Sequence, residues 1–134
     1  MKVGQLSHDK AIDFILGGKA FVTFQNPDTT NRYTYKILKH KTDDIYFVHV
    51  LTSPDTYIFI GTILNHIFRH SKKSKLGKDA RSVIVFDYVF YHLTTVTLNK
   101  NIEIFHDGRC GKCGRQLTDP ISVETGLGPH CRKK

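Results

Sequence analysis

The three cysteines of this chain, Cys110, Cys113 and Cys131, all fall in its tail, and their spacing constrains the fold more than any other feature. The run Cys110-Gly111-Lys112-Cys113-Gly114 sets two thiols three positions apart, and Cys131 closes the later run Gly126-Leu127-Gly128-Pro129-His130-Cys131. Two thiolates at this spacing point into one pocket, and the glycines beside them let backbone N–H groups turn toward the sulfurs. A distal cysteine that completes the pocket forces the tail to fold back on itself. This is the pattern of a zinc knuckle. A disulfide framework would leave one thiol over, and a redox Cys-x2-Cys normally opens a helix after a strand. Gly108, Gly111 and Gly114 crowd the pair instead, so zinc is the expected cofactor.

Three donors leave the fourth position to be filled. His106 gives the pattern His-x3-Cys-x2-Cys-x17-Cys and is the preferred donor. His130 is its rival, although side chains adjacent in sequence, as His130 and Cys131 are, converge on one metal only by distorting the backbone between them. If neither binds, water completes the shell, and an open position marks a catalytic rather than a structural zinc.

The length suits one domain with a modest appendage: an α+β unit over residues 1–105 and a zinc-binding tail over 106–134. Nine Phe and six Tyr supply a real core. Met1-Lys2-Val3-Gly4 leads into polar sequence with no apolar run of a secretory signal, and nothing is long enough to span a bilayer. A reducing cytoplasm is the expected setting, and reduced thiols suit zinc. The formal net charge of +8 attracts polyanions, nucleic acid being the commonest. Two clusters carry it: Arg69, Lys72, Lys73, Lys75, Lys78 and Arg81, answered by Asp79, and Arg109, Lys112, Arg115, Arg132, Lys133 and Lys134 in the tail.

Ser7 to Gly18 reads as a short helix capped by Ser7, with Asp9 in its first turn, Ala11, Ile12, Ile15 and Leu16 inward, and a glycine pair as its stop. The period then changes to two. Phe21–Gln25, Tyr33–Lys41, Ile45–Leu51 and Tyr57–Ile63, separated by Pro, Asn and Asp turns, predict an antiparallel meander of about four strands. Its aromatic residues read as core and half-buried sheet face rather than as a stacking platform. Arg69–Arg81 lacks apolar periodicity and reads as a mobile, lysine-rich loop, able to touch phosphates without reading bases. Val83, Phe86, Phe90 and Leu93 share a helical face, so Ser82–Leu93 is expected to be a helix on the sheet, capped by Ser82 or Asp79. Thr94–Phe105 is strand-like, broken at Asn99-Lys100-Asn101, and delivers His106 to the knuckle. The fold class is therefore α+β, a meander with one or two packed helices and a knuckle or ribbon-like tail.

The tail, from His106-Asp-Gly-Arg-Cys110 through Thr118, Pro120, Ser122, Gly126, Gly128 and Pro129 to Cys131, resembles a family of uncharacterised proteins carried by bacteriophages and prophages. Their shared ending is His-x-Gly-x-Cys-x2-Cys-Gly-Arg-x-Leu-Thr-x-Pro-x-Ser-(Ile/Val)-x2-Gly-x-Gly-Pro-x-Cys. Tyr46–Thr52 with Tyr57–Ile63, and Ser82–Leu93, look like the same family's central hairpin and helix. The resemblance implies cysteine-ligated zinc, and it favours His106, which matches the family's histidine, over His130 at a variable position. It supplies no molecular activity. Gly126, Gly128 and Pro129 are expected to shape the turn that returns Cys131, Thr118 and Ser122 to bond loop backbone, and Arg115 to reach outward.

Three functions remain. The first is a non-enzymatic, zinc-stapled nucleic-acid-binding protein, with Lys72, Lys73, Lys75, Arg109, Lys112 and Arg115 on phosphates. The second is a phage accessory protein that modulates a host protein such as a polymerase, nuclease or defence component. A metal-dependent nuclease ranks last, because His92, His106 and Asp107 show no recognisable catalytic spacing.

Overall fold

A computed structural model of the protein describes residues 3–29, 31–95 and 101–132, without the side chains of His130 and Arg132. The expected strand pattern at Val96 and Leu98, with Asn99 and Lys100, and the terminal Lys133 and Lys134 lie outside the described residues.

The period-two segments form strands β2 (Lys19–Gln25), β3 (Arg32–Lys39), β4 (Ile45–Ser53) and β5 (Thr56–Leu64), the expected meander. Three further strands extend it: β1 (Gln5–Leu6), β6 (Ile67–His70) and β7 (Glu103–His106). The result is a seven-stranded sheet in the order β1-β7-β2-β3-β4-β5-β6, with every pairing antiparallel. The sequence reading missed β6 because its hairpin lacks the usual glycine. Asn65 and His66 take φ of 53° and 63° in a two-residue turn between Leu64 and Ile67, the left-handed pair such hairpins need. Arg69 is thus a strand residue, not the start of a loop.

Two helices cover one face. Helix α1 (His8–Ile15) follows Ser7, whose backbone is extended as an N-cap requires but whose side chain caps nothing. Its buried face is Ala11, Phe14 and Ile15, with Ile12 and Leu16 only partly covered. Helix α2 (Arg81–Thr95) buries Val83, Phe86, Val89 and Phe90, so this stretch is helical as expected. It begins at Arg81, so neither Ser82 nor Asp79 stands at its cap, and it absorbs Thr94 and Thr95 from the predicted strand.

The alternation places Ala20, Val22 and Phe24 of β2, Tyr35 and Ile37 of β3, and Val48 and Val50 of β4 under these helices, all nearly inaccessible. Phe86 is the hub. Its ring lies 4.9 Å from those of Tyr35 and Phe68 and 5.7 Å from Phe24 and Phe90. Burying each such ring contributes on the order of 1.5–3 kcal/mol. The Tyr35 hydroxyl, deep in this core, donates to the Ser82 carbonyl at 2.7 Å and so fixes the first turn of α2 over β3. Burial pushes the Tyr35 phenol far above its ordinary pKa.

The loop after β6 is tied to itself. His70 Nε2 donates to the Leu76 carbonyl at 2.7 Å, and Ser71 and Ser74 side chains accept from the N–H groups of Lys73 and Leu76. No helix among the described residues is long and apolar enough to cross a membrane.

Candidate metal centre

The tail is built around Phe14. Its ring is fully buried, with Gly111 and Gly126 against it on the tail side. A Cβ on Gly111 would stand 2.6 Å from Phe14 Cδ1, and one on Gly126 would overlap the same atom. Only hydrogen fits at either position. Backbone bonds complete the seam: Lys19 N–H to Gly111 O and Gly111 N–H to Gly126 O, both 2.8 Å. The expected boundary between residues 105 and 106 falls within β7, whose Phe105 and His106 pair with Thr23 and Val22.

The knuckle is a tight ribbon. Arg109 and Gln116 form an antiparallel bridge, Cys110 N–H donates to Arg115 O at 2.7 Å, and Gly114 N–H returns to Cys110 O at 2.9 Å. Gly114 takes φ of +80°, which glycine adopts without strain. Helix α3 (Pro120–Thr125) then crosses the tail. Asp119 caps it by accepting from Ser122 N–H at 3.1 Å, Pro120 opens it, and Gly126 ends it at φ 75°. The Ser122 hydroxyl donates to the Asp119 carboxylate. The hydroxyl that holds the loop is Thr125, donating to Ile121 O and accepting from Leu127 N–H. Thr118 is exposed. Pro129 opens the one-turn α4 (Pro129–Arg132), which carries Cys131 back to the knuckle.

The sulfurs of Cys110, Cys113 and Cys131 all lie within 4.8 Å of one another, close enough to share one ion, and none is in a disulfide. Cys110 is buried, Cys131 half-buried and Cys113 exposed. Gly128 and Lys112 N–H groups donate to Cys110 Sγ at 3.3 and 3.4 Å. Burial alone would raise the Cys110 thiol, but these donors, with the N–H of Cys113 and the Cys131 thiol, outweigh it and bring it down to about 7. Burial and the two neighbouring sulfurs push Cys131 up to about 11. The trio is a thiolate site in which one sulfur is already primed. A cavity of about 500 Å³ opens beside Cys113 and Cys131, leaving room for a fourth donor.

The structure does not bring His106 to these sulfurs. Its Nε2 donates to the Val123 carbonyl at 2.5 Å, and its Nδ1 accepts the Gly108 N–H at 2.9 Å. A neutral imidazole has one donor and one acceptor nitrogen, so no lone pair is left for a metal. Its ring also packs 5.8 Å from that of Phe14. His106 therefore braces α3 and the knuckle against β7. The His130 side chain lies outside the described residues.

The expected phosphate contacts divide. Lys72, Lys73 and Lys75 are exposed on the loop after β6, and Lys112 and Arg115 are exposed on the knuckle. Arg109 is committed: it pairs with Asp107 at 2.7 Å and lies with its guanidinium carbon 4.1 Å from the Phe21 ring centroid. His92 sits on α2, bonded to the Tyr88 carbonyl, and it forms no metal-ligating cluster with His106 and Asp107 among the described residues. No curated protein and no solved structure matches the chain. Its tail, residues 104–134, is similar to a family of unknown function, DUF6011, whose matched segment contains all three clustered cysteines.

Proposed function

We propose that this is a small, non-enzymatic nucleic-acid-binding protein whose tail is stapled by zinc held on Cys110, Cys113 and Cys131. Three clustered soft thiolates favour zinc over hard cations such as magnesium and calcium. The fourth donor is His130 or a solvent molecule from the adjoining cavity, since His106 is spent on backbone. With His130 as that donor the shell is closed and the metal is structural, holding the knuckle against Phe14 and presenting Lys112 and Arg115.

The observation that supports nucleic-acid binding is a surplus of uncommitted charge. Lys72, Lys73, Lys75, Lys112 and Arg115 are exposed, and none makes an ion pair among the described residues. Such cations hold phosphates and release condensed counterions. The test is a salt titration of DNA and RNA binding by the wild type and by a Lys72/Lys73/Lys75→Ala variant. Affinity should fall by about 0.7–0.9 log units per contact for each tenfold rise in salt, with a shallower slope in the variant. Binding absent even at low salt would overturn the reading.

A phage protein that modulates a host protein is the second reading. Ile84, Tyr88 and Tyr91, each about half exposed, form an apolar stripe on the outer face of α2 that supports it. Capture from host lysate with and without nuclease treatment separates the two, because nucleic-acid bridging is lost on digestion and direct protein contact is not.

A further inference from the structure

The face of the sheet opposite the helices carries a second surface. Register assigns its residues: Phe21 stands beside Lys36, Lys36 beside His49, His49 beside Phe59, and Phe47 beside Thr62. Phe21, Phe47, His49, Tyr57 and Phe59 are all half-buried, and no described helix packs on them. The rings touch one another loosely: Phe21 meets Tyr57 edge-on at 6.0 Å, Phe59 meets His49 at 5.7 Å, and Phe47 meets Phe59 at 6.3 Å.

Cations are seated among these rings. Lys36 Nζ lies 4.8 Å from the Tyr57 centroid, and Arg109 reaches over Phe21 from the knuckle. Lys19, Arg32 and Arg69 occupy the same face by register, and the carboxylates near it among the described residues are Glu103 toward one edge and Asp107, which is paired with Arg109 beside Tyr57. A second copy docked face to face would bring these cations together, so self-association is disfavoured. A polyanion with flat apolar faces complements the surface instead.

The topology adds a geometric argument. The knuckle follows β7 and the lysine loop follows β6, and five strand spacings separate those strands. At about 4.8 Å each, the strands that lead into the two basic clusters lie about 24 Å apart. A ligand that runs from one to the other along the open face meets the aromatic side chains on its way. A stiff duplex keeps its bases inside and offers them no stacking partner. A single strand can lay its backbone along the cations and its bases on the rings.

We propose that the open face of the sheet binds single-stranded nucleic acid, with Tyr57 and Phe59 as stacking platforms and Lys36 holding a phosphate. This rests on the nucleic-acid reading above and deepens it by naming the surface and the form of the ligand.

The test compares oligothymidylate and oligouridylate of about 12 nucleotides with a duplex of equal length, by fluorescence anisotropy at low salt. Single strands should bind at least tenfold more tightly than duplex, and a difference between the two oligomers identifies DNA or RNA as the preferred source. Tyr57→Leu keeps an apolar side chain but removes the ring, and should weaken single-strand binding on the order of 10- to 100-fold. Tyr57→Phe should bind as the wild type does. The chain has no tryptophan, so tyrosine emission is unobscured, and the quenching seen on binding should shrink in Tyr57→Phe. Far-UV circular dichroism of both variants must match the wild type; if Tyr57→Leu misfolds, Lys36→Gln replaces it, with a salt slope lower by about 0.7.

Equal binding of duplex and single strand, or a neutral Tyr57→Leu, overturns the platform while leaving nucleic-acid binding in place. A concentration-dependent dimer abolished by Tyr57→Leu assigns the face to a second copy and overturns it as well. No binding of any form at low salt removes both readings.

Discussion

Replacing Gly126 by alanine tests whether Phe14 joins the tail to the sheet. Two costs are read from the structure. Gly126 takes φ of 75° at the end of α3, and a non-glycine residue held there loses about 1–2 kcal/mol. The added methyl would also overlap Phe14 Cδ1 and stand 3.3 Å from Leu6 Cδ2. Forcing a methyl into a packed core costs about 1–3 kcal/mol more. The sum, roughly 2–5 kcal/mol, is a large part of the stability of a domain this size. Urea unfolding at fixed, saturating zinc measures it, read as a change in midpoint at constant slope. A double-mutant cycle separates the terms. In a Phe14→Ala background the overlap is gone, so Gly126→Ala should then cost only the conformational part, about 1–2 kcal/mol. A loss below about 1 kcal/mol in the wild type, or the same loss in both backgrounds, would refute the claim that Phe14 is clamped by tail glycines.

Cys113→Ser should lower the zinc content of purified protein well below one ion per chain, whereas His106→Ala should keep the ion; loss of metal in His106→Ala would make His106 a ligand after all. The same His106→Ala change strands the Gly108 N–H and the Val123 carbonyl, so it should lower stability in urea by about 1–3 kcal/mol for each group left unpaired. Zinc uptake at pH 7 should release protons, because burial and the neighbouring sulfurs hold the Cys131 thiol up at about 11 while backbone donors bring Cys110 down only to about 7. Affinity then rises with pH through that window, and calorimetry in buffers of different ionisation enthalpy checks it; uptake without proton release would show the site already ionised. Tyr35→Phe removes the donor to Ser82 and should cost about 0.5–1.5 kcal/mol in urea unfolding, with no effect meaning that the bond does not hold α2.

What the sequence determined by itself was whatever depends on neighbours along the chain. Alternation along Phe21–Gln25 and Ile45–Leu51 marked strands, because side-chain direction reverses at every residue. The shared face of Val83, Phe86 and Phe90 marked a helix, and Cys-x2-Cys marked the metal cluster, because two thiols so close can hardly avoid one pocket. Tertiary structure decided the rest. Phe14 stood outside the inward stripe of Ala11, Ile12, Ile15 and Leu16 read from the sequence, and its role came from Gly111 and Gly126, about a hundred positions away, closing on it. His106 stood at ligand spacing, yet its place on β7 directs both ring nitrogens to backbone groups that no spacing rule sees. The short strands β1 and β6 carry too few residues to show a period, and they exist because the sheet offers them an edge to pair with. The two basic clusters are separate runs in the sequence, and strand order alone puts the strands they follow toward opposite edges of one sheet.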